Sequence, residues 1–207
     1  MKSGKKNQKK FKKQLQNFFR YGIINCYIII SSNRQIQYPE RNGFMRILGI
    51  DPGYAIVGFG VLEYDGYKFT PVHFGAITTE AKTDFNMRLK IIFDDMNTVI
   101  STFKPEVMAI EKLFFNTNQK TGIDVAQARG VTLLAATNAG IPIYEYTPLQ
   151  VKQSVVGYGR AEKLQVMEMT RRILGLACVP KPDDTADALA IAICHGHASG
   201  GVKIPKF

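Results

Sequence analysis

Hydrophobic residues recur along this chain with two different periods, and the switches between them divide it into elements. Ile47, Leu48 and Ile50 form a short apolar run closed by Asp51-Pro52-Gly53, a pattern that predicts a buried strand ending at a carboxylate and a turn. Residues 55–64 (AIVGFGVLEY) are rich in β-branched and aromatic side chains, and Asp65-Gly66 is a dipeptide favoured in two-residue hairpin turns. A third strand over residues 67–78 would complete an antiparallel meander. From Asp84 to Phe103 the period changes. Phe85, Leu89, Ile92, Met96, Val99 and Ile100 fall at spacings near three and four, which predicts an amphipathic helix ended by Lys104-Pro105.

Residues 106–110 (EVMAI) predict a short strand running into Glu111. The helix before it makes a crossover connection, which returns the chain in the same direction, so pairing beside the first strand would bring Glu111 to the same sheet edge as Asp51. A polar loop leads to a helix expected over residues 123–139. Its small residues, Ala126, Ala128, Gly130, Ala135 and Ala136, suit either tight core packing or a contact with a second copy. Residues 141–146 (IPIYEY) predict a fifth strand, again parallel, and Thr147-Pro148 opens a short helix through Val155. A loop at Gly157–Arg160, a helix over 162–174 and a last helix over 183–198 complete the chain. The fold class is therefore α/β: a five-stranded mixed sheet, antiparallel meander plus parallel strands, flanked by helices.

The net charge of +10 suggests a nucleic-acid partner until it is divided at Met45. Residues 1–44 hold ten Lys and Arg against the single acid Glu40, leaving seventeen basic against sixteen acidic residues in 45–207. Global charge on the body therefore says nothing about DNA. Residues 1–44 form a basic run followed by an interrupted apolar stretch, a poor secretory signal and too short for a membrane span. They read as a disordered basic extension or as sequence upstream of a true start at Met45. Residues 45–199 form the expected domain and 200–207 a tail. Three cysteines (Cys26, Cys178, Cys194) without metal-ligand spacing predict reduced thiols, no disulfide and a cytoplasmic protein.

Four carboxylates carry the candidate chemistry. Asp51 alone could be a turn former, and Asp183 and Asp184 could simply favour a helix N-terminus. Asp187 lies inside the last helix, three residues after Asp184 and on the same face. Gathered in one cleft, Asp51, Glu111, Asp184 and Asp187 would repel one another without a counter-charge. Oxygen-only ligands point to Mg²⁺, with Mn²⁺ as a substitute, rather than to zinc. Two such ions about 3.5–4 Å apart can hold the attacking water and the leaving oxygen of a phosphodiester in line. His195 and His197 sit two residues apart, on different helix faces, and are not expected to be ligands.

The motifs GIDPG (49–53), AIEKLFF (109–115), QARG (127–130), VKQSVVGYGRAEK (151–163) and DDTADALAIAICH (183–195), taken in order, resemble the RuvC family of Holliday-junction resolvases over residues 45–199. That resemblance implies an RNase H-like fold, a homodimer and Mg²⁺-dependent paired nicking of four-way DNA junctions in recombination and repair. A branch-migration helicase complex is its implied partner. Asp51, Glu111, Asp184 and Asp187 match the family's catalytic and metal-binding acids, Lys152 and Lys163 its backbone-contacting bases, and Phe114 its base-stacking aromatic. Asp183 matches no motif position and reads as a cap. Two alternatives share parts of the pattern. An actin-like ATPase or sugar kinase also opens on a Gly-Ile-Asp strand and turn but needs a second related domain, and an RNase H-like nuclease could act on another nucleic acid.

Overall fold

The computed structural model describes residues 43–113 and 119–200. Five strands form one sheet in the order β3-β2-β1-β4-β5: β1 (Met45–Asp51), β2 (Ile56–Tyr64), β3 (Phe69–Thr78), β4 (Val107–Glu111) and β5 (Ile143–Tyr146). The first three form the antiparallel meander, and β4 and β5 add on the other side of β1 as parallel strands. Five helices among the described residues cover the sheet: α1 (Phe85–Phe103), α2 (Gln119–Asn138), α3 (Pro148–Val156), α4 (Lys163–Ile173) and α5 (Asp183–Ala198).

Strand alternation sends successive side chains to opposite faces of the sheet. Leu48, Ile50, Met108 and Ile110 join Ile92, Met96 and Val99 of α1 and Ala128, Ala135 and Ala136 of α2 in one core. Ile47, Val107 and Ala109 point the other way, into a second core with Leu189, Ala190 and Ile193 of α5 and residues of α3 and α4. The result is a three-layer sandwich with helices on both faces.

Most helix ends follow from local chemistry. Thr147 caps α3 with a reciprocal pair of bonds, its Oγ1 accepting from the Gln150 amide while the Gln150 side chain accepts from the Thr147 amide. Helix α1 stops where Lys104 takes a left-handed conformation, φ 48°, just before Pro105.

Three expectations are corrected. The Asp65-Gly66 turn is not a two-residue hairpin: Tyr64 pairs with Phe69 across a four-residue loop. Asp65 organises that loop by accepting from the amides of Tyr67 and Lys68, the local bonding that draws aspartate into turns. Helix α2 begins at Gln119, before the first apolar residue that periodicity could register. Cys178 is disulfide-bonded, whereas Cys194 is a free buried thiol. An odd cysteine count leaves room for one pair.

Candidate active site

Asp51 and Glu111 are brought together by strand register. Ile50 pairs with Ile110 in the parallel β1–β4 ladder, so the next residue of each strand is a carboxylate at the same sheet edge. Both lie on the face that carries Ile47, Gly49, Val107 and Ala109 and is covered by α5.

What brings α5 close enough is the absence of side chains beneath it. A Cβ at Gly49 would land on the Ala188 carbonyl oxygen, and one at Gly58 on the Asp184 carbonyl oxygen. Gly58 is also the residue paired with Asp51 across the β1–β2 ladder. The glycine therefore seats the first turn of α5, with Asp184, against the strand position that faces Asp51. Asp187 follows one turn later. Periodicity alone could not show this, because these glycines interrupt otherwise regular strands and their use depends on where α5 crosses.

The electrostatics report a shared cleft. Burial, followed by the charges of Glu111, Asp187 and Asp184, pushes the Asp51 carboxyl up to about 8, against the opposing pull of Lys163. Glu111 is raised by burial and then by Asp187, again opposed by Lys163. Asp187 is raised by burial despite a hydrogen bond and ion pair with Lys163, with Asp184 and Asp183 adding to the rise. Among the described residues no three Asp, Glu, His or Cys side chains are drawn tightly enough together to grip a metal ion as they stand. The Lys163 ammonium instead supplies counter-charge, 3.1 Å from Asp187 Oδ2 and 3.7 Å from Asp183 Oδ2. Burial lowers its proton affinity, but the acids around it outweigh that and leave it raised.

Two arginines brace the acidic strand ends. Arg88 of α1 is buried. Its Nε donates to Thr79 Oγ1 at 2.8 Å and its Nη2 to the Tyr54 carbonyl at 3.3 Å. Its guanidinium also lies 4.5 Å from the centre of the Tyr54 ring. The turn that leaves Asp51 is thus tied to α1. Arg129 of α2 pairs with Glu145 of β5 and points its Nε at the Glu111 carbonyl, 3.4 Å away. Sequence reasoning passes over both. Arg129 lies within the QARG motif, and Arg88 is a basic residue on the buried face of an amphipathic helix, so each leaves a trace.

Other expected site residues fall as follows. Lys152 is half-buried on α3, outside the ion pairs around the acids. Phe114 lies outside the described residues. Asp183 is not a cap: Pro182 takes that position, and no side-chain cap bond forms. The Asp183 carboxylate turns to lysines instead, its Oδ1 accepting from Lys181 at 2.6 Å. The small-residue face of α2 divides. Ala128, Thr132, Ala135 and Ala136 are buried, while Ile123, Gly130 and Leu134 are exposed. His195 is buried with its Nδ1 2.7 Å from Tyr146 Oη, and His197 Nδ1 lies 3.0 Å from Ser154 Oγ.

The chain is similar to known proteins over most of the described residues. The family described as crossover junction endodeoxyribonuclease RuvC matches residues 47–195. The RuvC of Caldanaerobacter subterraneus is 55% identical over 155 residues, covering 75% of this chain and 94% of that protein. The RuvC of Brevibacillus brevis is 56% identical over 162 residues, covering 78% and 98%. Among solved structures, Thermus thermophilus RuvC in complex with a Holliday junction substrate superposes with a TM-score of 0.72 at 38% identity, covering 75% of this chain and 94% of that one. The yeast mitochondrial Holliday junction resolvase Ydc2, at 16% identity and a TM-score of 0.58 over 82% and 88%, shares the fold.

Proposed function

Because the chain belongs to the RuvC family of crossover junction endodeoxyribonucleases, we propose that residues 45–199 resolve four-way DNA junctions by paired hydrolysis of phosphodiesters. Asp51, Glu111, Asp184 and Asp187 are its catalytic and metal-binding acids. One observation carries this reading: strand register and a glycine-seated helix draw acids from three distant parts of the chain into mutual charge contact, with Asp51 raised to about 8.

A cleft of oxygen donors with so much unmet negative charge fits a divalent cation, Mg²⁺ with Mn²⁺ as substitute. Asp51, coupled to each of the other three acids, is the natural shared ligand, and Asp187 would exchange its lysine for the ion. When bound, the cation offsets the charge of the scissile phosphate and renders a water acidic enough to attack it. The chain's own residues do the rest. Strands β1 and β4 hold Asp51 and Glu111 on a rigid edge, and α5 holds Asp184 and Asp187 on one face. Lys163 and Lys152 attract the DNA backbone, and each phosphate contact steepens the salt dependence of binding. Phe114 stacks on an unpaired base at the junction centre, stabilising it by about 1–3 kcal/mol.

Symmetric cutting of opposite strands needs two sites related by a two-fold axis, so the enzyme works as a homodimer. The exposed stripe of Ile123, Gly130 and Leu134 on α2 supports a seam there. The resemblance further implies a branch-migration motor as partner. Among the described residues no helix is long and apolar enough to cross a membrane.

The test is a substrate panel of synthetic four-way junction, linear duplex and RNA–DNA hybrid, each with Mg²⁺ and with chelator. Cleavage of the junction alone, and only with metal, is expected. An intact junction after incubation with Mg²⁺, or equal cutting of linear duplex, would overturn the reading. Thermal stabilisation by ATP would favour the actin-like ATPase instead.

A further inference from the structure

Asp183 opens α5 without capping it, and its two carboxylate oxygens face different ammonium groups: Oδ1 lies 2.6 Å from Lys181 Nζ and Oδ2 lies 3.7 Å from Lys163 Nζ. Lys163 is simultaneously 3.1 Å from Asp187 Oδ2. One ammonium thus spans a carboxylate inside the acidic cleft and another on its rim, which its three N–H donors allow. We infer that Asp183 is a positioning residue for Lys163, retaining the ammonium at the mouth of the cleft when Asp187 turns to a divalent cation. This rests on the nuclease reading above.

The physical case is one of competition. Asp187 cannot give its charge fully to both a lysine and a metal ion, and its 3.1 Å contact makes it the nearer partner of Lys163 while no ion is engaged. Asp183 is the next acceptor within reach. It lies four residues before Asp187 on the same helix, and therefore on the same side of α5. The side chains of Lys163 and Asp183 are 56% and 42% exposed, so their pairing is loosely held and exchanges readily. With Asp183 present, Lys163 shifts its weight from one acid to its neighbour and still points to where a DNA phosphate approaches. Without it, the cation must strip the lysine of its remaining acidic partner. Lys181 occupies the other oxygen of Asp183 and orients that carboxylate.

Simple loss of negative charge near a cation would also weaken metal binding, so the test must separate the two causes. Mg²⁺ affinity is measured by calorimetry on full-length protein without DNA, in wild type, Asp183→Asn, Lys163→Met and the double variant. Asp183→Asn is expected to weaken Mg²⁺ binding by about fivefold or more in the wild-type background and by less than about twofold beside Lys163→Met, a coupling of the size found between contacting side chains. Asp183→Glu, which keeps the carboxylate, should restore most of the affinity. Asp183→Ser provides the same comparison should Asp183→Asn fold poorly. Equal weakening in both backgrounds would overturn the inference, because Asp183 would then act as bulk charge and not through Lys163. If wild type cleaves the four-way junction while the two substitutions prove additive, only this inference falls. If wild type leaves the junction intact in Mg²⁺, the nuclease reading beneath it falls as well.

Discussion

On the sheet face covered by α1 and α2, β1 and β4 contribute Leu48, Ile50, Met108 and Ile110, all fully buried. On the face covered by α5 the same strands contribute Ile47, Gly49 and Asp51, then Val107, Ala109 and Glu111. Along the second face a branched side chain gives way to a glycine or alanine in each strand, and the last position is a carboxylate. The first face is a continuous apolar layer whose only task is burial. The second lets a helix settle onto backbone and ends in a half-buried acidic edge where the strands finish. Both faces bury apolar side chains, but only the second ends in mutually repelling acids, whose unfavourable energy the rest of the fold offsets.

Substitutions on the two faces should therefore fail in different ways. The largest effect is expected for Asp51→Asn: loss of an acid coupled to all three others should slow junction cleavage by at least about 10²–10³-fold, with the melting temperature preserved or raised. A quantitative cleavage time course beside a melting curve checks both. Gly58→Val comes next. Its side chain would run into the backbone of α5 at Asp184, which should cost about 2–4 kcal/mol in chemical denaturation and misplace Asp184, so stability and cleavage decline together. The smallest effect is expected for Ile50→Val on the opposite face, about 0.5–1.5 kcal/mol, with cleavage within about twofold of wild type. A cleavage defect in Ile50→Val without a matching stability loss would break the contrast between the faces.

Much of this contrast is legible in the amino-acid sequence alone. The change of hydrophobic period locates the strands and helices, and the strand–helix–strand crossover is enough to place Glu111 beside Asp51, as the β1–β4 register bears out. The role of Gly49 and Gly58 is not legible, because a glycine in a strand reads as a weakness until the element crossing above it is known. Asp183 misleads for a similar reason: an acid at a helix start predicts favourable placement near the dipole, but nothing local reveals that Lys163, twenty residues earlier, lies within reach. The turn at Asp65-Gly66 is placed correctly and given the wrong length, since loop length depends on the register of β2 against β3. Arg88 is a basic residue on the buried face of an amphipathic helix, and nothing local reveals that its guanidinium lies over the Tyr54 ring.

The central claim is that the acids form one electrostatic unit awaiting a cation, and stability against pH tests it most directly. Asp51 has a folded value near 8 against an ordinary value of 3.8. A carboxyl raised in the folded state favours folding fully below its unfolded value, and that contribution is lost as pH rises through the folded value. Metal-free wild type should therefore lose stability between about pH 4 and pH 8, by at most about 1.4 kcal/mol per pH unit for this one proton. At pH 8, Mg²⁺ should restore the loss by binding the folded state alone. Asp51→Asn should show a flatter profile and little response to Mg²⁺. Melting curves across that pH range, with Mg²⁺ and with chelator, give the answer. Equal pH dependence and equal Mg²⁺ stabilisation in wild type and Asp51→Asn would contradict the account.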